Sequence, residues 1–389
     1  MNSLDLIIVV IALAFAVSGA LQGFRANLAA TVGLLIGGAV AVVLVPLVIS
    51  PDEPNLTASL VALALVVVAA VGGQVLGTVI GSDLRAGVRT PRGRFFDAAG
   101  GGVLSVVSVL VVSWALGYAL SGTSVPYLSK AARESAILDG VDSVMPSQAD
   151  RLLHAFSNAI DANIFPRYLD PFDSEDIVKV GPPDPATLNL PGVAQASASV
   201  VKILGQASCD RGIEGSGFVY AEDRVMTNAH VVAGVEKPSV ITTEGSFSAK
   251  VVVFDPALDI AVLAVDLDLP ALEFDTGGEA GQDSAVLGYP GNGPFDAQAA
   301  RIREQIRLKS PDIYNQGEHV RESFSIRGLV RSGNSGGPLV STDGRVLGVI
   351  FAASISDANT GYALTADQVQ DAAEEGVAST KAVSTGDCS

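Results

Sequence analysis

The sequence of 389 residues predicts two structural classes in one chain: a bundle of four membrane-spanning helices, followed by an all-β domain. Four long apolar runs fill the first third, and short apolar or alternating segments separated by turn residues fill the part after residue 194. Mean hydropathy is +0.42, which is high for a soluble protein. We therefore divide the chain into a membrane domain (1–121), a linker (122–193) and an all-β domain (194–389).

The four apolar runs lie at residues 6–21, 28–49, 58–80 and 98–120. The last three each have 22 or more residues without a charge, which is enough to cross a hydrocarbon core of ~30 Å. The first run is shorter and could be taken for a signal peptide. It lacks the basic segment that such a peptide needs, so we predict that it is retained as a span.

The loops between the runs predict the orientation of the spans. The first loop carries Arg25 and the third carries four arginines, whereas the second has only two acidic residues. Positively charged loops stay in the cytoplasm, so both termini are expected outside. The chain is then a multi-pass protein of the cell (inner) membrane whose β domain is extracytoplasmic or periplasmic.

The interiors of the spans carry no ionisable residue. Transporters and proton relays usually need one within the membrane, so we expect the bundle to be an anchor or a docking surface. Glycines four residues apart favour close helix packing, although glycine is common in spans in any case. The pairs are 33 and 37, 73 and 77, and 77 and 81.

The linker contains two stretches with helical periodicity, 129–144 and 148–162. A Pro-rich stretch follows at 180–192 and is typical of an extended, solvated chain. We therefore expect a domain boundary there. Beyond it, closely spaced strands predict a sandwich or barrel; they are 200–204, 217–220, 224–227, 239–242, 250–254, 260–265, 285–288 and 345–351.

Three motifs of the β domain carry a histidine, an aspartate and a serine in that order. His230 ends Thr-Asn-Ala-His, Asp259 begins Asp-Ile-Ala-Val-Leu, and Ser335 lies in Gly-Asn-Ser-Gly-Gly-Pro. A serine hydroxyl becomes a nucleophile only beside a base that a third group orients. This chain order is that of the chymotrypsin double β-barrel. We predict that fold, with Ser335 as nucleophile, His230 as general base and Asp259 as orienting carboxylate.

The glycines around Ser335 predict an oxyanion hole. They permit a sharp turn and expose the N–H groups of Gly333 and Ser335, and one such donor can contribute ~3–4 kcal/mol to transition-state stabilisation. Asp255 competes with Asp259 as the orienting residue. Asp255 precedes a proline, which suits a turn, whereas Asp259 opens an apolar strand, so we favour Asp259.

The other chemically interesting residues are expected to be structural. His154 lies on a predicted linker helix and His319 in a polar loop, so both are interpreted as solvated bystanders. Ser216, in Gly-Ser-Gly-Phe, is interpreted as part of a turn and not as a second nucleophile. Gly-Tyr-Pro-Gly at 288–291 is interpreted as the end of a strand and a turn.

Charge and cysteine content limit the partners. The formal net charge is −17, and all of this excess falls after residue 121. Nucleic-acid binding needs a cationic surface, so we expect no nucleic acid to bind. Cys209 and Cys388 lack the C-x-x-C spacing of a metal or redox site; they either pair, as is common outside the cytoplasm, or are two unrelated thiols. We expect no metal and no cofactor.

The motifs together resemble a known group of enzymes. Thr-Asn-Ala-His-Val-Val, Asp-Ile-Ala-Val-Leu, Gly-Tyr-Pro and Gly-Asn-Ser-Gly-Gly-Pro-Leu-Val resemble trypsin-like peptidases of the HtrA type over about residues 195–375. Four spans before such a domain resemble the actinobacterial membrane-anchored periplasmic serine proteases (the MarP family), and the spans resemble the colicin V production (CvpA) family. The resemblance implies a role in acid and oxidative stress, the triad named above, and a disulfide between Cys209 and Cys388.

We therefore predict a membrane-anchored serine endopeptidase that cleaves proteins or peptides of the cell envelope and cuts its own linker. A sensor that binds peptide without cutting is one alternative, and the intact triad argues against it. A transporter with a protease appendage is another, and the uncharged spans argue against it. The specificity pocket is expected at Leu329, Val330, Ala352 and Ala353, and no acid is evident where a pocket for lysine or arginine would need one, so we expect a small or apolar residue before the scissile bond. The sequence leaves the oligomeric state open.

Overall fold

The computed structural model describes residues 2–48, 56–85, 90–121, 131–145, 175, 177–209, 211–314, 316–354 and 356–388. The chain divides into two compact units: Met1–Ile164 with Pro171–Ser174, and Phe165–Asp170 with Glu175–Ser389. The long apolar helices lie in the first unit, and all strands of the described residues lie in the second.

Four long helices form the first unit: α1 (Ser3–Gln22), α2 (Phe24–Val48), α3 (Leu56–Arg85) and α4 (Pro91–Ser121). Each is long and apolar enough to cross a membrane, which confirms the four predicted spans. Helix α1 begins with a capping box, in which the Asn2 side chain accepts the N–H of Leu4 and Asp5 while Asp5 accepts the N–H of Asn2. This satisfies backbone donors that would otherwise lack partners at the helix start.

Helices α2 and α3 pack through the predicted glycines. A Cβ atom added to Gly33 would lie 2.1 Å from the carbonyl oxygen of Gly73, and one added to Gly77 would lie 2.2 Å from that of Ala29. The two backbones can touch only because these side chains are absent. Helix α4 joins α2 through polar groups, since the Asn27 amide donates to the carbonyl of Gly101 (2.7 Å) and to Ser105.

The start of the linker is partly helical. Helix α5 (Ala136–Asp142) lies inside the predicted stretch 129–144, and Ser135 caps it by accepting the N–H of Leu138 at 3.2 Å. Its two ends contact two spans: Ser135 donates to Asp5 at 2.5 Å, and the Trp114 indole donates to Asp142 at 2.6 Å. The second predicted helical stretch, 148–162, lies outside the described residues.

The second unit contains two antiparallel sheets, as expected for an all-β domain. The first sheet has the strand order 5-4-1-2-3-7-6, and the second closes into a barrel with the order 10-13-12-11-8-9. The first comprises β1 (Val200–Gln206), β2 (Gly212–Ala221), β3 (Arg224–Thr227), β4 (Ser239–Thr242), β5 (Gly245–Ser248), β6 (Lys250–Asp255) and β7 (Ile260–Ala264). The second comprises β8 (Asp283–Gly288), β9 (Asp296–Ser310), β10 (His319–Arg327), β11 (Pro338–Ser341), β12 (Val346–Ala353) and β13 (Thr360–Thr365).

Each sheet has its own apolar core, and a further cluster joins the two. Ile203 and Leu263 belong to the core of the first sheet, and Ile302 and Leu339 to that of the barrel. The joining cluster combines first-sheet residues such as Phe218 with barrel residues such as Leu287 and Phe351. This cluster fixes the two sheets against each other, and the loops that meet between them are therefore held in place.

Five strands were not predicted: β5, β9, β10, β11 and β13. Strand β9 is the longest, at 15 residues, but charged residues occupy its more exposed positions and break the apolar pattern. Helix α7 (Ala366–Ala378), which follows β13, was also not predicted. It is held by tertiary contacts, because Tyr220 donates to the carbonyl of Ala373 and Arg224 to that of Gly376.

The Pro-rich stretch belongs to the second unit, and most of its residues are exposed as expected, but it is not extended throughout. Residues Pro185–Asn189 form a 3₁₀ turn and Pro191–Ser197 form helix α6. Val193 is 1% exposed and belongs to the joining cluster. Upstream, Arg303 and Arg327 donate to the carbonyls of Val178 and Val180, both at 2.6 Å. Pro185 and Pro191 each begin one of these short helical segments, where the missing N–H of proline costs no hydrogen bond.

Cys209 and Cys388 form a disulfide with a Cα–Cα distance of 6.5 Å. The tail that carries Cys388 is also held by hydrogen bonds to the turn after His230: Gly234 N–H donates to the carbonyl of Thr385, and the Thr385 hydroxyl donates to the carbonyl of Val235. The resemblance correctly implied this pairing, and the alternative of two unrelated thiols was wrong.

Reduction of the disulfide is expected to lower both stability and activity. It opens a loop with a sequence separation of 179 residues, worth up to ~5 kcal/mol in the chain-entropy model, or a fall in Tm of up to about 10–20 °C. Activity should also fall well below the melting temperature, because the tail contacts the turn that carries His230. Thermal unfolding and peptide hydrolysis with and without reductant measure the two effects. Two free thiols in the untreated protein would contradict the bridge, and unchanged activity after full reduction would limit it to stability.

Candidate active site

His230 lies in a turn between β3 and β4. Its ring is close to burial, with 13% of the side chain exposed. Residues 229–235 form a series of turns, in which Val232 N–H donates to the carbonyl of Ala229 and Val235 N–H to that of Val232. At the end of this turn, Gly234 and Val235 hydrogen-bond to Thr385 of the C-terminal tail. These bonds help to fix the backbone that carries the imidazole.

Asp259 immediately precedes β7 and orients His230. One carboxylate oxygen accepts the His230 backbone N–H at 2.9 Å, and the other lies 2.8 Å from Nδ1 of the ring. Asp259 is fully buried and has a positive φ of 63°, a backbone conformation that aspartate tolerates better than most residues. Its carbonyl accepts a hydrogen bond from the Asn228 side chain at 2.8 Å. A carboxylate only accepts hydrogen bonds, so Nδ1 carries the proton and Nε2 the lone pair.

Asp255, the competing candidate, has a different role. One of its carboxylate oxygens accepts the N–H groups of Ala257 (2.9 Å) and Leu258 (3.0 Å). It therefore closes the turn between β6 and β7, as its position before a proline indicated.

The loop that carries Ser335 lies between β10 and β11 and is tied to the segment that carries His230. Ser335 accepts the backbone N–H of Ser216 through its carbonyl at 2.8 Å. A Cβ atom added to Gly336 would lie 2.3 Å from Thr227 Oγ1 and 3.0 Å from the N atom of Asn228. Gly336, which follows Ser335, thus lies against Thr227 and Asn228, which shortly precede His230, and this brings the three predicted site residues into one region between the two sheets.

The backbone of Gly333 adopts a conformation that a side chain would prevent. Its φ is +89°, and an added Cβ would lie 2.6 Å from the carbonyl oxygen of Tyr289. Among the described residues, no hydrogen-bond acceptor is engaged by the N–H groups of Gly333 or Ser335. The predicted oxyanion hole needs both of these N–H groups to be unengaged.

The chain resembles known proteases over both of its parts. Residues 215–349 match the trypsin-like peptidase domain, and residues 4–146 match the colicin V production protein family. The serine protease Rv3671c of Mycobacterium tuberculosis is 39% identical over 390 residues, which cover 99% of this chain and 98% of the relative. The chain belongs to the MarP (Rv3671c) family of serine proteases.

A solved structure agrees with this family. The crystal structure of the active form of the Rv3671c protease is 47% identical, covers 57% of this chain and 98% of its own, and has a TM-score of 0.54. A DegP-like periplasmic serine endoprotease of Halomonas elongata is 34% identical over 169 residues, which cover 41% of this chain and 34% of the relative. The enzyme class predicted from the motifs is therefore confirmed: the chain is a trypsin-like serine protease.

In this MarP-family protease, Ser216 is a site residue whose role was missed. It is fully buried in β2 and lies in no turn. Its hydroxyl donates to the carbonyl of Gly333 at 2.6 Å and accepts the N–H of Tyr289 at 2.8 Å. The signal for this role was the glycine on each side of Ser216, which permits another backbone to approach closely.

The other residues considered in the sequence analysis lie outside the contacts around His230, Asp259 and Ser335. His319 is the first residue of β10, in a strand and not in a loop, and pairs with Ser310. His154 lies outside the described residues. Val330 packs in the barrel core with Ala353 at its edge, and Leu329 is 37% exposed.

Proposed function

We propose that this chain is a membrane-anchored, extracytoplasmic serine endopeptidase that works through His230, Asp259 and Ser335. The contact that carries the proposal is the buried carboxylate of Asp259, which accepts both the backbone N–H and the ring Nδ1–H of His230. This contact fixes the ring orientation and leaves the basic lone pair on Nε2.

The reaction then follows from the positions of these groups. The Ser335 hydroxyl attacks the carbonyl carbon of the scissile peptide bond while His230 Nε2 takes its proton, and Asp259 stabilises the resulting imidazolium. The N–H groups of Gly333 and Ser335 donate to the oxyanion of the tetrahedral intermediate. His230 next returns the proton to the leaving amine, and a water molecule releases the acyl group from Ser335 by the same steps.

A fluorophosphonate probe tests the assignment of the nucleophile. The full-length protein in detergent should be labelled at Ser335 at a rate that parallels peptide hydrolysis. A protein that binds peptide without cutting it would not label. Labelling at another serine would contradict the proposed triad.

The extracytoplasmic position of the protease is supported by the charge of the loops and by the disulfide. Loops with arginine favour the cytoplasm, and a disulfide is typical of an oxidising compartment. An alkaline phosphatase fused after residue 130 should be active in cells, and one fused in the third loop should be inactive. The reverse pattern would overturn the orientation.

The role in acid and oxidative stress resistance of the cell envelope rests on the family resemblance. Cells that lack the protein should lose survival in acid and peroxide, and the wild-type chain should restore it where a chain with Ser335→Ala does not. Full rescue by the inactive chain would contradict a proteolytic role. The substrates are expected to be envelope proteins or peptides with a small or apolar residue before the scissile bond, and cleavage of a peptide library tests this preference.

Self-cleavage is expected in the linker, upstream of Glu175. Neighbouring chains in a membrane meet at high effective concentration, whereas residues 178–193 are held at several points, by hydrogen bonds to the carbonyls of Val178 and Val180 and by the burial of Val193. Purified full-length protein should release a soluble fragment that contains residues 175–389. N-terminal sequencing of the fragment locates the cut.

The inactive variant Ser335→Ala is the control for self-cleavage. It should stay intact when purified alone and should be cut when mixed with the wild-type protein. The same fragment from Ser335→Ala alone would mean that another protease makes it.

A further inference from the structure

The turn at residues 289–293, which follows β8, lies directly against the nucleophile loop. The N–H of Gly291 donates to the carbonyl of Ser332 at 2.8 Å. A Cβ added to Gly333 would lie 2.8 Å from the N atom of Gly291 and 3.0 Å from Cα of Pro290. The 289–293 turn therefore contacts the peptide bond that joins Ser332 to Gly333.

The contact from Gly291 determines which way this peptide faces. In a trans peptide the C=O and N–H groups point in opposite directions. With its carbonyl held by Gly291, the Ser332–Gly333 peptide turns the N–H of Gly333 away from the 289–293 turn. Rotation of this peptide would replace the oxyanion donor by a carbonyl oxygen, which repels negative charge. The orientation of the 289–293 turn is thus coupled to the oxyanion hole.

Two residues of the first sheet hold the 289–293 turn. Ser216 holds its start, through the N–H of Tyr289. Lys202 holds its end: Nζ donates to the carbonyl of Asn292 at 2.8 Å and to its side-chain oxygen at 3.1 Å, and lies 5.5 Å from the ring centroid of Tyr289. Lys202 in β1 and Ser216 in β2 are directly paired across the two strands.

The backbone of this turn needs such support. Gly291 and Asn292 both have positive φ, at 59° and 53°. Glycine and asparagine tolerate the left-handed region as single residues, whereas two such residues in succession depend more on contacts from the surrounding structure. The three contacts of the Lys202 ammonium all fall on this turn, and the turn makes the hydrogen bond to Ser332.

We propose that Lys202 is a positioning residue for the oxyanion hole and acts through the 289–293 turn. The proposal rests on the assignment of Ser335 and the Gly333 N–H made above. Lys202 touches no reacting atom; it keeps Gly291 in place, and Gly291 keeps the Ser332–Gly333 peptide in the orientation that presents its N–H to the cleft.

The test is Lys202→Met, which removes the ammonium group and keeps most of the stem. An oxyanion donor acts in the transition state and not in the bound substrate, so kcat should fall about tenfold while KM stays within about twofold. Binding of a peptide boronate, which becomes tetrahedral at the serine, should weaken by a similar factor. Lys202→Arg should recover most of the rate, because it can still donate to Asn292. All assays use the full-length protein in detergent.

Lys250→Met is the matched control, since Lys250 is exposed at the start of β6 and carries the same charge. It should keep the wild-type kcat. A Lys202→Met protein with kcat within about twofold of this control would overturn the proposal.

A second variant covers the case in which Lys202→Met is unstable. Asn292→Gly removes one acceptor of Lys202 but tolerates the left-handed backbone, so it should lower kcat by a smaller factor with KM unchanged. If Lys202→Met does not fold and Asn292→Gly keeps the wild-type kcat, the proposal is also overturned. Ser335→Ala distinguishes a failure of this proposal from a failure of the proposed triad. Activity in Ser335→Ala would refute the assignment of Ser335 as the nucleophile. An inactive Ser335→Ala together with a fully active Lys202→Met would refute only the positioning role of Lys202.

Discussion

Replacement of Ser335 by alanine is expected to lower peptide hydrolysis by at least about 10⁴-fold and to leave the fold intact. The loss follows because the change removes the hydroxyl group that is proposed to attack the scissile carbonyl. The residual rate would come from substrate binding and from Gly333 and Ser335 N–H groups that the change does not remove. Steady-state hydrolysis and thermal unfolding of the full-length protein measure the two parts of this prediction.

His230→Ala should lose a similar factor, because nucleophile and base act as one unit and their losses do not add. The double variant should therefore be no worse than either single one. Activity of Ser335→Ala within tenfold of the wild type would refute the assignment of the nucleophile.

Asp259→Asn is expected to lower kcat by ~10⁴-fold, because the asparagine amide would favour the wrong tautomer of His230. The variant is expected to change the reaction rate without unfolding the protein. Asparagine tolerates the positive φ of 63° at this position, and its carbonyl oxygen can still accept the backbone N–H of His230. Measurement of kcat and of the melting temperature separates the two effects.

Asp255→Asn is the matched control. Its side-chain oxygen can still accept the N–H groups of Ala257 and Leu258 that the carboxylate accepts now, so kcat should stay within about threefold of the wild type. If Asp255→Asn were more damaging than Asp259→Asn, the orienting residue would be Asp255 and the proposed triad would be wrong.

The sequence predicted the membrane part well because its signal is local. A span must be long and apolar over its whole length, and all four runs that meet this condition are helices. The glycine pairs indicated close helix packing, but only the structure shows that α2 packs on α3 through them. The polar contacts of Asn27 with α4 carried no sequence signal, because a single asparagine does not indicate its partner.

The β domain was predicted less completely because strand formation depends on partners that are distant in sequence. Strand β9 forms by pairing with β8 and β10. The charged residues along it interrupt the apolar alternation from which a strand is predicted. The Pro-rich stretch was predicted in part: most of its residues are exposed, as its composition indicated, but it forms a short turn and leads directly into Val193, which is buried. Burial of this kind is a property of the folded domain and not of the stretch.

The sequence by itself determined the class of the enzyme and the residues of its proposed site. Motif order and local chemistry were enough, because a glycine-framed serine and a carboxylate before an apolar strand each have a distinctive local pattern. Only the tertiary structure decided that Asp259 and not Asp255 meets His230, that Ser216 holds Gly333, and that Lys202 holds the 289–293 turn. The last two contacts join segments from both sheets, and their geometry is fixed by the apolar cluster that packs the sheets together. Contacts of this kind cannot be predicted from a local sequence pattern.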